Sequence, residues 1–312
     1  MTVLLTGATG FLGSQLLRAL AGAGHDVVVL KRSISDTARI ADILPRVASV
    51  DVDRTSIADI FAGHPAADTV VHAATSYGRG ETLASLARAN ILWPLELLEG
   101  LKAHAAHHSA AAAFINTDTC FTKARGYRYL QGYTTSKKQF VELARIALEG
   151  SRVHLVNMKL EHVYGPHDGS AKFMTSIIRQ CLANTPSIDL TPGTQERDFI
   201  YVEDVSAAYV RVLRRLRGET VKPAFTEYEV GTGVSHSIRH VVTRIAAISG
   251  AATQLRFGAL AFREGEIMHS VADTAALRGI NFTPRFTLDE GLAATIESER
   301  IQSLALAAGT AL

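Results

Sequence analysis

The chain has 312 residues, of which 47% are hydrophobic and 20% charged, so it can bury one large core or two modest ones without disulfide bonds. The formal net charge is +2 and the basic residues are scattered, which argues against a nucleic-acid partner or an anionic membrane surface. Cys120 and Cys181 lie in no Cys/Cys or Cys/His pattern, so we expect no disulfide framework and no metal site. Without a basic leader or an apolar run of about 18 residues, the sequence predicts a cytoplasmic protein.

The first predicted elements are a buried strand at residues 2–5 and a helix at 11–23, separated by a glycine-rich loop, TGATGFLG. A strand, a G-x-x-G-x-x-G loop and a helix allow backbone N–H groups to approach a pyrophosphate at the positive end of the helix. A tight strand-to-helix turn also requires glycine, so the motif alone leaves that alternative open. The residues that we expect to hold a dinucleotide at this loop are Gly7, Thr9, Gly10, Phe11, Leu12 and Gly13.

The second predicted strand, residues 26–30, ends at Lys31, Arg32 and Ser33. An NAD-binding fold usually places a carboxylate at this position to hold the adenosine ribose 2′-hydroxyl. Lys31 and Arg32 can instead pair with a 2′-phosphate, which favours NADP(H) over NAD(H), although they could also be ordinary surface cations. Asp51 and Val52 follow the next apolar stretch and could flank the adenine; an exposed loop position for Asp51 is the alternative.

Further apolar strands are predicted at 68–74, 112–117 and 152–160, with helical segments between them. Strands that alternate with helices predict an α/β fold, a Rossmann-type doubly wound parallel sheet. After residue 166 the pattern becomes less regular, which indicates a smaller, mixed lobe, and YEVGTG at 228–233 could return as a strand of the first sheet. We therefore expect a dinucleotide-binding domain at 1–165 with about 198–231, and a substrate lobe at about 166–197 with 232–312.

Tyr133 and Lys137 are four residues apart in a segment of helical periodicity, so they share one helix face. A phenol with a pKa of about 10 is a poor acid–base catalyst at neutral pH, and a nearby ammonium and an oxidised nicotinamide both favour the phenolate. Lys137 can also hydrogen-bond the nicotinamide ribose. Thr117 ends a predicted central strand, at the sheet edge where ligands of such folds bind, and could hold the substrate oxygen. Tyr and Lys at this spacing also occur by chance in many helices.

Several motifs occur in a consistent order along most of the chain. They are GATGFLG, HAA at 72–74, Asn90, Thr117, Tyr133-x-x-x-Lys137, VYGP at 163–166 and RDFIYVEDV at 197–205. Together they resemble the extended short-chain dehydrogenase/reductase family of nucleotide-sugar enzymes, the NAD-dependent epimerases and dehydratases. Within that family, the segments 116–118, 157–169, 226–233 and 266–273 are most similar to NADPH-dependent reductases of a CDP-linked 4-keto-3,6-dideoxy sugar.

The resemblance implies roles for particular residues. Thr117, Tyr133 and Lys137 would form the catalytic set, with Asn90 in a water relay. Further implied cofactor contacts are Ala73, Ala74, His162 and Val163. The implied substrate contacts are Thr75, Asp118, Thr119, Lys172, Phe173, Arg197 and Arg263, the two arginines holding the diphosphate of a nucleotide sugar. The family also implies a homodimer.

Two departures from the family pattern affect the interpretation. The family often has Arg and Asn where this chain has Lys159 and His162, which predicts altered contacts near the nicotinamide and the sugar. A structural role for His162 remains the alternative. Dehydratases of the family place an Asp-Glu pair after the catalytic Thr, whereas in this chain Asp118 is followed by Thr119. This difference argues against 4,6-dehydration.

The leading hypothesis is a reductase in which NADPH delivers hydride to C4 of a nucleotide-linked 4-keto-6-deoxy or 3,6-dideoxy sugar and Tyr133 donates the proton. One alternative is a nucleotide-sugar 4-epimerase that retains tightly bound NAD. Another is a non-catalytic NADP-sensing regulator, which could dispense with the Tyr and Lys. The sequence leaves the nucleotide (CDP, dTDP, UDP or GDP) and the C4 configuration of the product open.

Overall fold

The computed structural model describes residues 1–107, 112–123, 130–218, 225–307 and 309. The chain divides into two compact units, each assembled from three segments. The first unit contains Met1–Leu160, Ser206–Val230 and Ala275–Phe282. The second contains Glu161–Val205, Gly231–Thr274 and Thr283–Leu312.

Strands and helices occur throughout the described ranges. The strands are β1 (Thr2–Thr6), β2 (Asp26–Lys31), β3 (Ala48–Asp51), β4 (Ala67–His72), β5 (Ala112–Thr119), β6 (Val153–Leu160), β7 (His162–Tyr164), β8 (Ser187–Leu190), β9 (Glu196–Tyr201), β10 (Phe225–Val230), β11 (Ser235–Ser237), β12 (Gln254–Phe257) and β13 (His269–Ser270). The helices are α1 (Phe11–Gly22), α2 (Ile57–Gly63), α3 (Leu83–Ala87), α4 (Trp93–Ala106), α5 (Gln131–Ala147), α6 (Phe173–Leu182), α7 (Val202–Gly218), α8 (Ile238–Ser249), α9 (Ala275–Gly279) and α10 (Leu288–Ala307). A π-helical turn, Arg88–Leu92, joins α3 to α4.

The first unit contains a seven-stranded parallel sheet in the order β10-β6-β5-β4-β1-β2-β3. Its central strands are continuous apolar runs, which is typical of a parallel sheet covered by helices on both faces. Leu4, Val70 and Phe114 from the sheet are buried with Leu97 of α4 and Phe140 of α5. The predicted doubly wound α/β class is therefore confirmed. The strand order reverses between β1 and β4, the position at which such folds bind ligands.

The strand that returns late in the sequence also joins this sheet. β10 pairs with β6 in parallel, from Phe225 opposite Leu155 to Val230 opposite Leu160. The strand begins three residues before the predicted one and ends before Gly231, because the glycines of YEVGTG follow the strand. The later segment Ala275–Phe282 belongs to the first unit, whereas the sequence analysis places it in the substrate lobe.

The second unit is organised around β9. This strand pairs with β7 and β13 in parallel and with β11 in the antiparallel sense, and β8 and β12 form a separate parallel pair. Tyr164, Ile178, Phe199, Val241 and Leu292 belong to the core of this unit. No helix in the described ranges is both long enough and apolar enough to cross a membrane.

Candidate active site and dinucleotide-binding loop

The loop between β1 and α1 has no space for side chains at two of its glycines. Gly7 has a φ of +72°, and a Cβ atom there would lie 2.5 Å from the backbone nitrogen of Ala74. At Gly13 a Cβ atom would lie 1.9 Å from the carbonyl oxygen of Gly7. The turn is closed by a 2.9 Å hydrogen bond from the Gly10 N–H to the Gly7 oxygen. Close backbone packing therefore requires glycine at positions 7 and 13, whether or not a ligand is bound.

The amino terminus of α1 is open to an anion. Gly10, the N-cap residue, is extended and supplies no side-chain cap, and the first turn has no acidic residue. Its N–H groups and the positive end of the helix dipole therefore remain available, and these are the groups that bind a phosphate. Thr9, Phe11 and Leu12 are partly accessible in the loop and the first turn. This geometry fits the pyrophosphate of a dinucleotide.

A threonine that the sequence analysis missed joins this loop to the end of β4. The Thr6 hydroxyl oxygen accepts hydrogen bonds from the backbone nitrogens of Ala73 and Ala74 at 3.2 and 3.1 Å. It also lies 2.9 Å from Nδ1 of His72. Burial, and next the charge of Lys137, lower the pKa of His72 to about 3, so this imidazole is neutral. Ala73 and Ala74 thus lie beside the glycine loop, and their role as cofactor contacts stays a prediction.

The end of β2 brings together cations and carboxylates. The Lys31 ammonium forms a 2.5 Å ion pair with Asp51. The carboxylate of Asp53 accepts hydrogen bonds from the Ser33 backbone nitrogen at 2.7 Å and from the Ser33 hydroxyl at 2.6 Å. Arg32 is exposed and forms no ion pair with a described residue. Val52 continues the contact with β2 by donating its N–H to the carbonyl oxygen of Lys31.

Tyr133 and Lys137 lie one turn apart on α5 and are 6% and 3% exposed. The ring of Tyr77 packs against Tyr133 with centroids 4.9 Å apart. Burial raises the pKa of Tyr133, and a hydrogen bond with the Thr119 side chain opposes that shift. Burial lowers the pKa of Lys137 to about 8, while the charge of Asp118 raises it. The pair combines a phenol that keeps its proton with an ammonium that can lose its proton just above neutral pH.

The two threonines at the end of β5 contact different tyrosines. The Thr117 hydroxyl lies 2.7 Å from the Tyr209 hydroxyl of α7, whereas the Thr119 side chain lies near Tyr133 and lowers the pKa of its phenol. The family resemblance implies that Thr117 belongs to the catalytic set and Thr119 to the substrate contacts. The role of Thr117 stays a prediction, and Thr119 is the hydroxyl that the structure brings to the phenol. Sequence spacing could not reveal Tyr209, since it lies 92 residues away in the chain.

A buried polar network extends from Asp118 across the sheet. The Oδ2 atom of Asp118 accepts a 3.0 Å hydrogen bond from Asn157 Nδ2. The same nitrogen also donates to Glu227 at 2.8 Å. Glu227 in turn pairs with Lys159 at 2.6 Å. The other oxygen of Asp118 is buried and has no hydrogen-bond partner in the described part of the chain. Lys159, which departs from the family pattern, is thus held by Glu227.

Asn90 lies in the π-helical turn between α3 and α4, a type of distortion that is frequent at functional sites. Its Nδ2 donates to the Ser76 carbonyl oxygen at 2.8 Å and to the Ser136 hydroxyl at 3.0 Å. Its Oδ1 accepts from the Ser76 nitrogen at 2.8 Å and contacts the Thr75 hydroxyl at 3.4 Å. Because Ser136 hydrogen-bonds the carbonyl oxygen of Tyr133, Asn90 fixes the loop at residues 75–76 relative to α5. Its role in a water relay stays a prediction.

The remaining predicted contacts lie in the second unit. Arg197 on β9 is 6% exposed and donates to Glu266 at 2.6 Å and to the carbonyl oxygen of Glu196 at 2.7 Å. Arg263 is exposed, and its carbonyl oxygen accepts from the Glu266 N–H at 3.1 Å, so one loop connects both predicted diphosphate ligands. The other predicted contacts in this unit are His162 and Val163 on β7, Lys172 before α6, and Phe173 as its first residue.

The architecture and motif positions match known proteins. A model of the NAD dependent epimerase/dehydratase family matches residues 3–231. The chain belongs to this family. It is 34% identical to CDP-abequose synthase of Salmonella muenchen over 295 residues, covering 93% of this chain and 95% of that protein. The corresponding Salmonella typhimurium protein is 35% identical over 300 residues, with the same coverage of both chains. The resemblance predicted from the motifs is confirmed.

Solved structures show the same fold. UDP-glucose-4-epimerase from Stenotrophomonas maltophila, with bound NAD and formylated UDP-arabinopyranose, superimposes with a TM-score of 0.83. The match covers 98% of this chain and 99% of that one at 23% identity. This likeness supports the Rossmann-type architecture of this family member.

Proposed function

We propose that the protein is an NADPH-dependent reductase of the C4 keto group of a nucleotide-linked 4-keto-6-deoxy or 3,6-dideoxy hexose. The observation that carries the proposal is the buried pair of Tyr133 and Lys137, which lie one turn apart on α5. The near full-length similarity to CDP-abequose synthases supports a nucleotide sugar as the substrate. A homodimer in the cytoplasm is part of the same proposal.

In this reaction, different residues of the first unit bind the cofactor, donate the proton and stabilise the charge that develops. The glycine loop and the open end of α1 hold the pyrophosphate. A bound NADPH supplies the hydride. Burial keeps the proton on the Tyr133 phenol, so this side chain can donate it to the carbonyl oxygen as negative charge develops there. The Thr119 hydroxyl orients the phenol, and Lys137 supplies a positive charge that favours the phenolate left after transfer.

The residues around the phenol favour reduction over dehydration. A 4,6-dehydratase of the family has a glutamate two residues after its catalytic threonine, where this chain has Thr119. The Thr119 side chain lies near Tyr133, and a neutral hydroxyl is a poor base for abstracting a carbon-bound proton. Keto reduction requires a proton donor at this place, and the protonated Tyr133 meets that requirement.

A nucleotide-sugar 4-epimerase with tightly bound NAD is the second candidate. It is favoured by the two carboxylates, Asp51 and Asp53, that contact Lys31 and Ser33 at the end of β2. Carboxylates near this position suit a ribose hydroxyl better than a phosphate. Protein that purifies with NAD and oxidises no NADPH with any 4-keto sugar nucleotide would favour the epimerase. A non-catalytic regulator would show binding of NADP⁺ without turnover of any sugar.

The first test is Tyr133→Phe, assayed by NADPH oxidation with a panel of CDP-, dTDP-, UDP- and GDP-linked 4-keto sugars. Loss of the proton donor should lower kcat by about 10²–10⁴-fold and leave NADP⁺ affinity within about twofold. Tyr201→Phe, which removes a hydroxyl from the core of the second unit, is the matched control and should retain near-normal turnover. Normal turnover by Tyr133→Phe on the substrate that the wild-type protein reduces would contradict the assignment.

A further inference from the structure

The end of β2 contains an internal contact that resembles a bound phosphate. The backbone N–H and the hydroxyl of Ser33 both donate to the carboxylate of Asp53, at 2.7 and 2.6 Å. Two acceptor oxygens of one anionic group therefore occupy both donors of this serine. A 2′-phosphate of NADP(H) presents the same pattern of charged acceptor oxygens.

The charges around Ser33 are balanced by chain residues. Lys31 is paired with Asp51, and Arg32 is the cation without a carboxylate partner among the described residues. The charges of Lys31, Arg32, Asp51 and Asp53 sum to zero, and Arg54 adds a further positive charge near Asp53. The pKa of Asp53 is held below its ordinary value by its hydrogen bonds from Ser33, so the carboxylate is charged at neutral pH.

We propose that Asp53 is a specificity-determining residue that lowers the affinity for NADP(H) relative to NAD(H) by occupying the donors of Ser33. The inference rests on the proposed dinucleotide-dependent function. A 2′-phosphate must displace the carboxylate before it can use the serine N–H and hydroxyl, and it is repelled while the carboxylate stays near. A dinucleotide with a free 2′-hydroxyl carries no charge at that position and meets neither obstacle.

Asp53 differs from Asp51 in what it blocks. Asp51 neutralises the Lys31 ammonium, whose flexible side chain can turn to a phosphate while it remains near the carboxylate. Asp53 occupies a backbone N–H, which cannot move independently of the loop. The contact between Asp53 and Ser33 therefore controls a fixed donor, and its removal should act on NADP(H) alone.

The experiment measures the affinity of the full-length protein for NADP⁺ and NAD⁺ by isothermal titration calorimetry. Asp53→Asn should tighten NADP⁺ binding about tenfold and change NAD⁺ binding by less than about twofold, since a neutral amide holds the two donors of Ser33 less strongly than the carboxylate does and no longer repels the phosphate. Asp26→Asn removes the same charge at the opposite end of β2 and should leave both affinities unchanged.

A double-mutant cycle tests the contact with Ser33. In a Ser33→Ala background, Asp53→Asn should give a clearly smaller gain for NADP⁺, because the hydroxyl that it frees is missing. Three outcomes would overturn the proposal. Asp53→Asn could raise the affinity for both dinucleotides equally, Asp26→Asn could raise the NADP⁺ affinity as much, or the gain in NADP⁺ affinity could be undiminished in the Ser33→Ala background. Wild-type protein that binds neither dinucleotide would overturn it as well. If Asp53→Asn shifts the preference as expected but no 4-keto sugar is reduced, the reductase assignment fails and this inference stands.

Discussion

Lys137 is a buried cation whose charge depends on a neighbouring carboxylate. Burial lowers its pKa to about 8, and the negative charge of Asp118 is what opposes the shift. The charge of Lys137 in turn helps burial to lower the pKa of His72 to about 3, so this imidazole is neutral. We therefore expect Asp118 to be a positioning residue that favours the protonated form of Lys137.

Asp118→Asn should lower the pKa of Lys137 further, because the opposing charge is removed while the side-chain shape is kept. Activity that requires the ammonium is lost as pH rises through this pKa, so the alkaline limb of kcat should move to lower pH by about one unit. The measurement is kcat for NADPH oxidation between pH 6 and 10. Asp68→Asn, at the start of β4, removes a partly buried carboxylate from another strand and should leave the limb in place. If the fall of kcat at alkaline pH occurs at the same pH in Asp118→Asn as in the wild-type protein, Lys137 does not control it.

At the residue scale, the sequence predicts partners within one helix better than partners between elements. Tyr133 and Lys137 share a face because four residues make about one turn of helix. The contacts of Thr117 with Tyr209 and of Thr119 with Tyr133 depend instead on how β5 meets α7 and α5. Both threonines follow the same local pattern in the sequence, so no local signal distinguishes them.

The glycines of α1 and its loop differ in the space around them. A Cβ atom at Gly13 would overlap the backbone of Gly7, whereas at Gly22, in the last turn of α1, a Cβ atom meets nothing within 4 Å. The two positions belong to the same helix. Alanine at Gly22 therefore tests helix propensity alone, whereas alanine at Gly13 also tests the close packing against the loop.

Gly13→Ala should lower the free energy of unfolding by about 1–3 kcal/mol and weaken NADP⁺ binding at least tenfold, because the helix must move away from the loop. Gly22→Ala should raise stability by up to about 1 kcal/mol, since alanine favours the helix, and leave binding unchanged. Urea denaturation and calorimetric titration measure both effects. Similar effects from the two substitutions would contradict the close-packing argument.

At the scale of elements, apolar runs and glycines located the strands of the parallel sheet well, because those strands are buried on both faces. The π-helical turn that contains Asn90 was not predictable. It lies within a segment of ordinary helical periodicity, and its extra residue is stabilised by hydrogen bonds to Ser76 and Ser136 from other parts of the chain. The short strands of the second unit were also missed, since polar residues interrupt their patterns.

At the scale of the molecule, the first unit needs a segment from near the end of the chain. Leu277, Ile280 and Phe282 are 1%, 5% and 7% exposed, and α9 packs against β10. Arg211 of α7 donates to the carbonyl oxygen of Ile280. Sequence patterns place this segment in the substrate lobe, because its apolar residues do not indicate which core they enter.

Leu277→Ala should lower the free energy of unfolding by about 2–5 kcal/mol, as expected for a leucine truncated in a closed core. Leu260→Ala makes the same change at a site that is 49% exposed and should alter stability by less than about 0.5 kcal/mol. Denaturant unfolding followed by circular dichroism measures both. A loss of less than about 1 kcal/mol in Leu277→Ala would mean that the segment is not part of this core.

The pairing of β10 with β6 also has a consequence for synthesis on the ribosome. About 65 residues separate the end of β6 from the start of β10, so the hydrogen-bonding edge of β6 stays uncovered until the later strand emerges. At bacterial and eukaryotic elongation rates that interval is roughly 3–13 s. During this time the nascent chain exposes a strand edge that can pair with other chains, so the late arrival of β10 lengthens the period in which the chain can aggregate.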